Sequence, residues 1–508
     1  MGGVKNLADT QQSLNLPATN KAVQSSVWIL LGFGASQVLR LLTNLLLATL
    51  LYPGAFGFMA LIGAFMQGLQ MFSDLGIGPS IIQNHRGTEP AFLHTAWTLQ
   101  IIRGLSLWVL SWLIAFPLAA FYPSNTPGEP SLSLILPIVG ATALINGFIS
   151  TAVFTRQRQL NIGRVVSLDL IAQCASCLCM VVWALLKPDV WALVAGGFAF
   201  SLTRVLLSHR LNPHQRDKLH WDSDSARELL LFGRWIFAST VVSFAATQLD
   251  RPVLAKLISI SELGVYSIAF TLSAIAIEVA TRLSHSILFP LLSQHREDSK
   301  KIIPLCLQAR HLLLWASGAL CSAFAILSPL FFGLLYDNRY AGAASLSQWL
   351  GLSVWSWILR ATMDRIPLAL GRPRDLFFSN LINCFGIGLG VLGFTAGRLP
   401  GFILGLSLGN LCSHLFLTLR LPLGKRAMLK QSLGFSIGWF AYSILAITAL
   451  QILELPPNRE AGARINTDNF LQVLIHCRIY ITTALTLSAA PFLVCAYALR
   501  RQWRMKFQ

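Results

Sequence analysis

Apolar residues in this chain come in long runs separated by short polar stretches. The runs are about twice the length of a barrel strand and lack its in–out alternation, which leaves membrane-spanning helices as the reading. Fourteen are long enough to cross a bilayer of about 30 Å. They cover roughly 27–50, 56–83, 92–121, 131–155, 164–187, 190–209, 229–257, 263–292, 303–336, 342–370, 376–397, 399–420, 432–454 and 471–499. The pattern therefore predicts an all-α, polytopic membrane protein. The polar N-terminus, 1–26, has no apolar core of the signal-peptide kind, so insertion is assigned to the chain's own first helix.

A faint internal repeat organises these spans. Pro53-Gly54-Ala55-Phe56-Gly57-Phe58 opens the second, and Ser261-Glu262-Leu263-Gly264-Val265-Tyr266 opens the eighth. Ile81-Ile82-Gln83-Asn84-His85-Arg86 closes one, and Leu291-Leu292-Ser293-Gln294-His295-Arg296 closes the other. Six spans separate the copies, an even number, so the repeats run parallel. Parallel repeats imply two lobes with a pathway between them. The expected organisation is a tail (1–26), a six-helix N-lobe (27–209), a linker (210–228), a six-helix C-lobe (229–422), two additional spans (432–499) and a second tail (500–508).

Charge sets the orientation. With the N-terminus inside, the inner segments hold 24 Lys and Arg and the outer loops 6. That bias places both termini in the cytoplasm. It also accounts for a net charge of +18 without any nucleic-acid partner. Only 12% of residues are charged and mean hydropathy is +0.61, which excludes a soluble or disordered chain. No loop is long enough to fold as a domain.

Nine cysteines all fall in apolar runs. Cys174 and Cys177 have redox-like spacing, but their apolar surroundings and the absence of a nearby His make them packing residues. No metal, cofactor or nucleophile pattern is found. Gly401-x-x-x-Gly405-x-x-x-Gly409 reads as a close-packing helix face, and Gly386-x-Gly388-x-Gly390 as packing rather than a nucleotide loop.

Charges within spans are costly and are functional candidates by default. The deep set is Arg40, Asp74, Arg103, Asp250, Arg251, Glu278, Arg282 and Arg360. Its cations are all arginine, whose planar fork suits carboxylate and phosphate oxygens. Arg40, Arg103, Arg251 and Arg282 are the candidate substrate ligands, for an anion such as a diphosphate. Asp74, Asp250 and Glu278 are the candidate ion-coupling groups. Internal pairing is the competing reading for Glu278 with Arg282 and for Arg360 with Asp364, each four residues apart. Arg234, Asp169, Arg310, Arg365 and Arg478 sit nearer helix ends and are expected to anchor at the interface.

The residues also resemble a family. Leu39-Arg40, Ala48-Thr49-Leu50-Leu51-Tyr52-Pro53-x-x-Phe56-Gly57, Asp74-Leu75-Gly76 and Ile81-Ile82-Gln83 look like the opening of the polysaccharide transporter family. These are bacterial oligosaccharide flippases of the multidrug/oligosaccharidyl-lipid/polysaccharide exporter superfamily. Phe232-Gly233, Leu249-Asp250, Leu254-Ala255-Lys256, Leu263-Gly264-Val265-Tyr266 and Phe289-Pro290-Leu291-Leu292-Ser293 look like its seventh and eighth spans. Gln348 to Arg374 resembles its tenth, and the whole resemblance covers about 20–430. Thr49 stands where the family often has arginine, so an outer-edge charge is missing here.

The resemblance implies two six-helix lobes in a V that open alternately to each side. It implies carriage of an undecaprenyl-diphosphate-linked oligosaccharide across the bacterial inner membrane. Membrane lipids, a polysaccharide polymerase and assembly proteins are the implied partners. A multidrug antiporter of the same superfamily is the alternative, disfavoured by the net positive deep set. A membrane polymerase or ligase is disfavoured by the short outer loops. Reporter fusions at Glu129, Asn338 and Asn458 are expected to read as periplasmic, and those at Arg216, Lys300 and Gln508 as cytoplasmic. A periplasmic C-terminus contradicts the span count.

Overall fold

The computed structural model describes residues 16–452 except 74–75, 123–130, 160, 213–216, 285–298, 365, 368–371 and 422–423, together with Thr483, Leu487 and Pro491. The described residues form helices and no strand. Nine of these helices are long and apolar enough to cross a membrane, or ten with one bent pair taken as a single span. The chain is a multi-pass membrane protein. The fourteenth expected span, 471–499, lies outside the described residues except for Thr483, Leu487 and Pro491.

The chain forms two compact units, Met1–Phe244 with Arg251–Ile258, and Ala245–Asp250 with Ser259–Gln508. The first unit opens with α1 (Leu16–Leu50), α2 (Pro53–Phe72), α3 (Ile77–Gln83), α4 (Pro90–Phe121) and α5 (Leu132–Gly147). It continues with α6 (Ala152–Arg158), α7 (Ile162–Leu186), α8 (Trp191–Ser208), α9 (Ser223–Gln248, in this unit as far as Phe244) and α10 (Asp250–Leu257, from Arg251). Prolines open α2 and α4, where a missing N–H leaves no bond unmade. α1 packs on α7 through Ser36 Oγ, which donates to Gln173 Oε1 at 2.6 Å, and Thr43 Oγ1, which donates to Cys177 Sγ at 2.9 Å. Cys177 is thus a helix-packing residue.

Three expected spans are broken rather than continuous. The run 56–83 divides into α2 and α3, and Gly76 adopts φ 62° at the restart, a conformation that glycine tolerates without strain. The run 131–155 divides into α5 and α6, bent by 59°. The run 229–257 divides at Leu249 between α9 and α10. Apolar runs carry no mark of these breaks, because apolar side chains continue on both sides of each one.

The second unit contains α11 (Ile260–Leu283), α12 (Ser299–Leu335), α13 (Ala341–Ala361), α14 (Pro373–Arg420) and α15 (Lys425–Ile452). A reciprocal capping box of Ser259 and Glu262 starts α11, at the place where the second copy of the repeat begins. α14 is two helices joined at Gly397 and Arg398, the latter at φ 51°. They fold back as a hairpin whose facing surfaces are glycine: Gly393 meets Gly401, Gly390 meets Gly405, and Gly386 meets Gly409. The expected packing face is therefore the inside of this hairpin.

α15 lies outside the twelve-helix repeat, yet it is built into the core of the second unit. Trp355 of α13 stacks on Trp439 of α15 with ring centres 5.0 Å apart, and Trp439 Nε1 donates to Gly318 O at 3.1 Å. Arg310 corrects an expectation. It is not an interfacial anchor but is fully buried, three turns into α12 on the side facing α15. Its guanidinium donates to Thr362 Oγ1 (3.0 Å), Gln431 Oε1 (3.2 Å) and Ser432 Oγ (2.8 Å). The side chain turns inward between α12, α13 and α15, where neutral oxygens solvate it.

A Cβ at Gly405 would stand 2.3 Å from Gly390 N, whereas one at Gly388 would meet nothing within 4 Å. Gly405→Val should therefore force the hairpin apart and cost about 3 kcal/mol or more. Gly388→Ala should leave the thermal midpoint in detergent unchanged or slightly raised. Equal midpoints for the two variants contradict this packing.

Candidate substrate site

A helix that breaks inside a bilayer must satisfy its freed carbonyls with side chains or with water in a cavity. Both devices occur together in the first unit. A cavity of about 370 Å³ lies between α2, α3, α4, the bent pair α5–α6 and α8. Its polar lining is Gln70, Gln100, Arg103, Asn146, Gln157 and Arg204.

Arg103, half-buried on α4, closes one break. Its Nη2 donates to Gln70 O at 2.8 Å and its Nε to Ser73 Oγ at 3.0 Å. Gln70 O is among the last carbonyls of α2, where a cation also meets the negative end of the helix dipole. Gln100 closes the other break. Its Nε2 donates to Gly147 O at 3.1 Å and Ile149 O at 2.9 Å, with a longer bond to Asn146 O. Its reach depends on close packing of α4 on α5, since a Cβ at Gly104 would lie 2.8 Å from Ala143 O. Asp217 holds the far side of the bend by accepting from Ser150 Oγ at 2.6 Å and from Thr151 Oγ1.

The other walls differ in chemistry. Arg204 is neutralised by Asp169 at 2.9 Å. Asn146 Nδ2 donates to Ser201 Oγ at 3.3 Å, while its buried Oδ1 has no partner among the described residues. The side-chain amides of Gln70 and Gln157 make no hydrogen bond to the described residues. A larger cavity of about 650 Å³ in the second unit is lined by rings instead, among them Trp315, Trp355, Phe435 and Trp439.

The expected site residues separate accordingly. Of the four candidate arginines, Arg103 alone lines the 370 Å³ cavity. Arg40 is exposed on α1, and Arg251 is half-buried on α10 in the first unit. Arg282 is joined to Glu278 by an ion pair of 2.7 Å on α11, the geometry of the pairing alternative. Asp250 is buried and accepts from Tyr266 OH at 3.2 Å. Asp74 lies outside the described residues. Arg360 reaches Asp364 at 3.6 Å and also donates to Asn380 and Asn410. The charge survey missed the amides; Gln70, Gln100 and Asn146 stand in otherwise apolar runs, whereas Gln157 sits between Arg156 and Arg158 and carries no such signal.

Outside the spans, a charged knot ties the loop after α3 to the start of α9. Arg86 lies 2.9 Å from Glu89 and 3.6 Å from both Asp222 and Glu228, and Asn84 Nδ2 donates to Glu228 at 2.6 Å. The bond to Glu89 holds the Arg86 guanidinium above its ordinary pKa. The hydroxyl and backbone N–H of Ser225 hold the Asp222 carboxyl below its ordinary value, with Arg86 adding attraction.

Comparisons with known proteins place this geometry. Residues 46–345 match the family described as polysaccharide biosynthesis protein. The succinoglycan biosynthesis transport protein ExoT of Rhizobium meliloti (strain 1021) is 23% identical over 382 residues, covering 72% of this chain and 73% of that protein. The teichuronic acid biosynthesis protein TuaB of Bacillus subtilis (strain 168) is 20% identical over 326 residues, covering 63% of this chain and 66% of TuaB. The chain thus spans just under two thirds of TuaB's length. Among solved structures, lipid II flippase MurJ in an inward closed conformation has a TM-score of 0.65 at 14% identity, covering 92% of this chain and 98% of that one. That likeness establishes the fold.

The knot gives a pH prediction. A carboxyl whose folded pKa is lowered contributes stability that is full above its unfolded pKa and is lost as pH falls through the folded value. Asp222→Asn should therefore lower the thermal midpoint at neutral pH and flatten its decline below the ordinary Asp value of 3.8. Acid slopes that coincide for the two proteins contradict this role.

Proposed function

Because this chain belongs to the polysaccharide biosynthesis protein family, we propose that it carries a lipid-linked oligosaccharide across the bacterial inner membrane for surface polysaccharide assembly. The cargo is an undecaprenyl-diphosphate-linked glycan taken from the inner leaflet to the outer. Both termini lie in the cytoplasm, and a polysaccharide polymerase and assembly proteins act beside it. The observation that carries the reading is a guanidinium, Arg103, at the wall of a polar cavity inside an otherwise apolar helical bundle. A single charged side chain at the centre of a bilayer costs about 3 kcal/mol or more. A diphosphate and its sugars face a larger barrier, and a wet, basic pathway opened alternately to each side lowers it.

Arg40, Arg103, Arg251 and Arg282 contact the diphosphate and the adjoining sugars in this reading. Arg103, at the wall of the polar cavity, is the one placed beside the adjoining sugars. Arg282 takes part when its ion pair with Glu278 opens. Asp74, Asp250 and Glu278 are the candidates for coupling to an ion gradient, and Asp74 is the first to test.

Deleting the gene should abolish the surface polysaccharide and accumulate its lipid-linked precursor. In the complemented strain, Arg103→Ala should reduce export strongly, and Arg103→Lys less so, because it keeps charge but loses the planar fork. Asp74→Asn should bind cargo yet lose gradient-driven export. Normal polysaccharide in the deletion strain, with no precursor accumulated, rules out the function. Full complementation by Arg103→Ala at normal expression takes Arg103 out of the substrate site.

A further inference from the structure

We propose that the 370 Å³ cavity of the first unit is a subsite for a single glycosyl unit, held through its hydroxyl groups rather than through a phosphate. This rests on the flippase reading above and names what that site takes.

The chemistry of the lining decides between the two ligands. A phosphate offers only acceptors and needs donors around it. Here Arg103 directs Nη2 to Gln70 O and Nε to Ser73 Oγ, and Arg204 is neutralised by Asp169. The rest of the polar lining is amide, and each amide presents a carbonyl oxygen as well as an NH₂. A phosphate leaves those carbonyls facing negative charge. A sugar hydroxyl both donates and accepts, so one hydroxyl can serve either end of Gln70 or Gln157.

Shape and setting agree. The volume is near the lower end of the range of about 300–1,000 Å³ for ligand pockets, room for one sugar ring and not for a chain. Phe154 supplies an apolar face for the ring's C–H groups. It lies close to the backbone at Gly78, where an added Cβ would come 2.8 Å from the phenyl ring. Counted along α4 from Pro90, Gln100 and Arg103 lie about 15–20 Å into the helix, within the span. The cavity is also bounded by the bent pair α5–α6, and interrupted helices that line a cavity mark binding sites.

The test uses full-length protein in detergent and saturation-transfer NMR. The probe is the water-soluble oligosaccharide released by mild acid from the strain's own lipid-linked precursor, with inorganic pyrophosphate as competitor. The expected result is transfer concentrated on the ring protons of one sugar unit and unaffected by pyrophosphate. That transfer should fall at least about fivefold in Gln70→Leu/Gln157→Leu. Gly78→Val, whose side chain collides with the Phe154 ring in the cavity lining, should abolish it by a separate route. Competition by pyrophosphate overturns the proposal in favour of an anion site. Unchanged transfer in both variants, each eluting as a single species, also overturns it. If plain hexoses bind and both variants lose that binding while the deletion strain accumulates no precursor, the flippase reading fails and the sugar subsite stands.

Discussion

Inside hydrocarbon the backbone has no water to bond with, so every interruption of a helix must be closed by something the protein supplies. That constraint links most of what is distinctive in the first unit. α2 ends before α3 restarts at Gly76, and the Arg103 guanidinium takes up a terminal carbonyl of α2. α5 bends into α6, and the amide of Gln100 takes up the carbonyls at the bend. Each closure places a polar side chain where a continuous helix would place an apolar one. The cavity is the space between these two closures, and its chemistry follows from them.

The second unit meets the same constraint differently. Its sharp turn, at Gly397 and Arg398, joins two helices close enough for glycine backbones to touch. One of its buried charges, Arg310, is surrounded by hydroxyl, amide and carbonyl oxygens contributed by α12's neighbours, α15 among them. Removing one partner of a buried charge is far more damaging than removing a surface pair. α15 is therefore held to the unit by a bond that a peripheral helix would not need. A helix outside the internal repeat becomes part of the core through one arginine and one stacked tryptophan pair.

Much of this was legible in the residues. Length and apolarity marked the nine or ten helices of the described residues that can cross a membrane, because burial in lipid demands both. The Gly401, Gly405 and Gly409 spacing gave a packing face, because only glycine allows such backbone approach. The pairing of Glu278 with Arg282 was available from their separation of one helical turn. The breaks at Gly76 and after Gly147 were not legible, since an apolar run reads the same whether its helix is straight or bent. Arg310 was misplaced because its depth depends on where α12 starts and which neighbour it faces. The amides were passed over because a neutral side chain carries no charge signal, although Gln and Asn in a span incur a smaller version of the same penalty. Arg40 shows the converse: a lone arginine in an apolar run is conspicuous, yet it lies exposed on α1, away from the cavity.

The central claim is that a polar route through this bundle lets a charged, glycosylated lipid cross the bilayer. Its most direct test is leaflet accessibility in vesicles containing purified protein and the lipid-linked oligosaccharide. A membrane-impermeant glycosidase added outside digests only the cargo in the outer leaflet. With the protein present and an ion gradient imposed, digestion should continue past the outer-leaflet share towards completion. Digestion that stops at the same plateau as in protein-free vesicles, under every gradient imposed, contradicts the account.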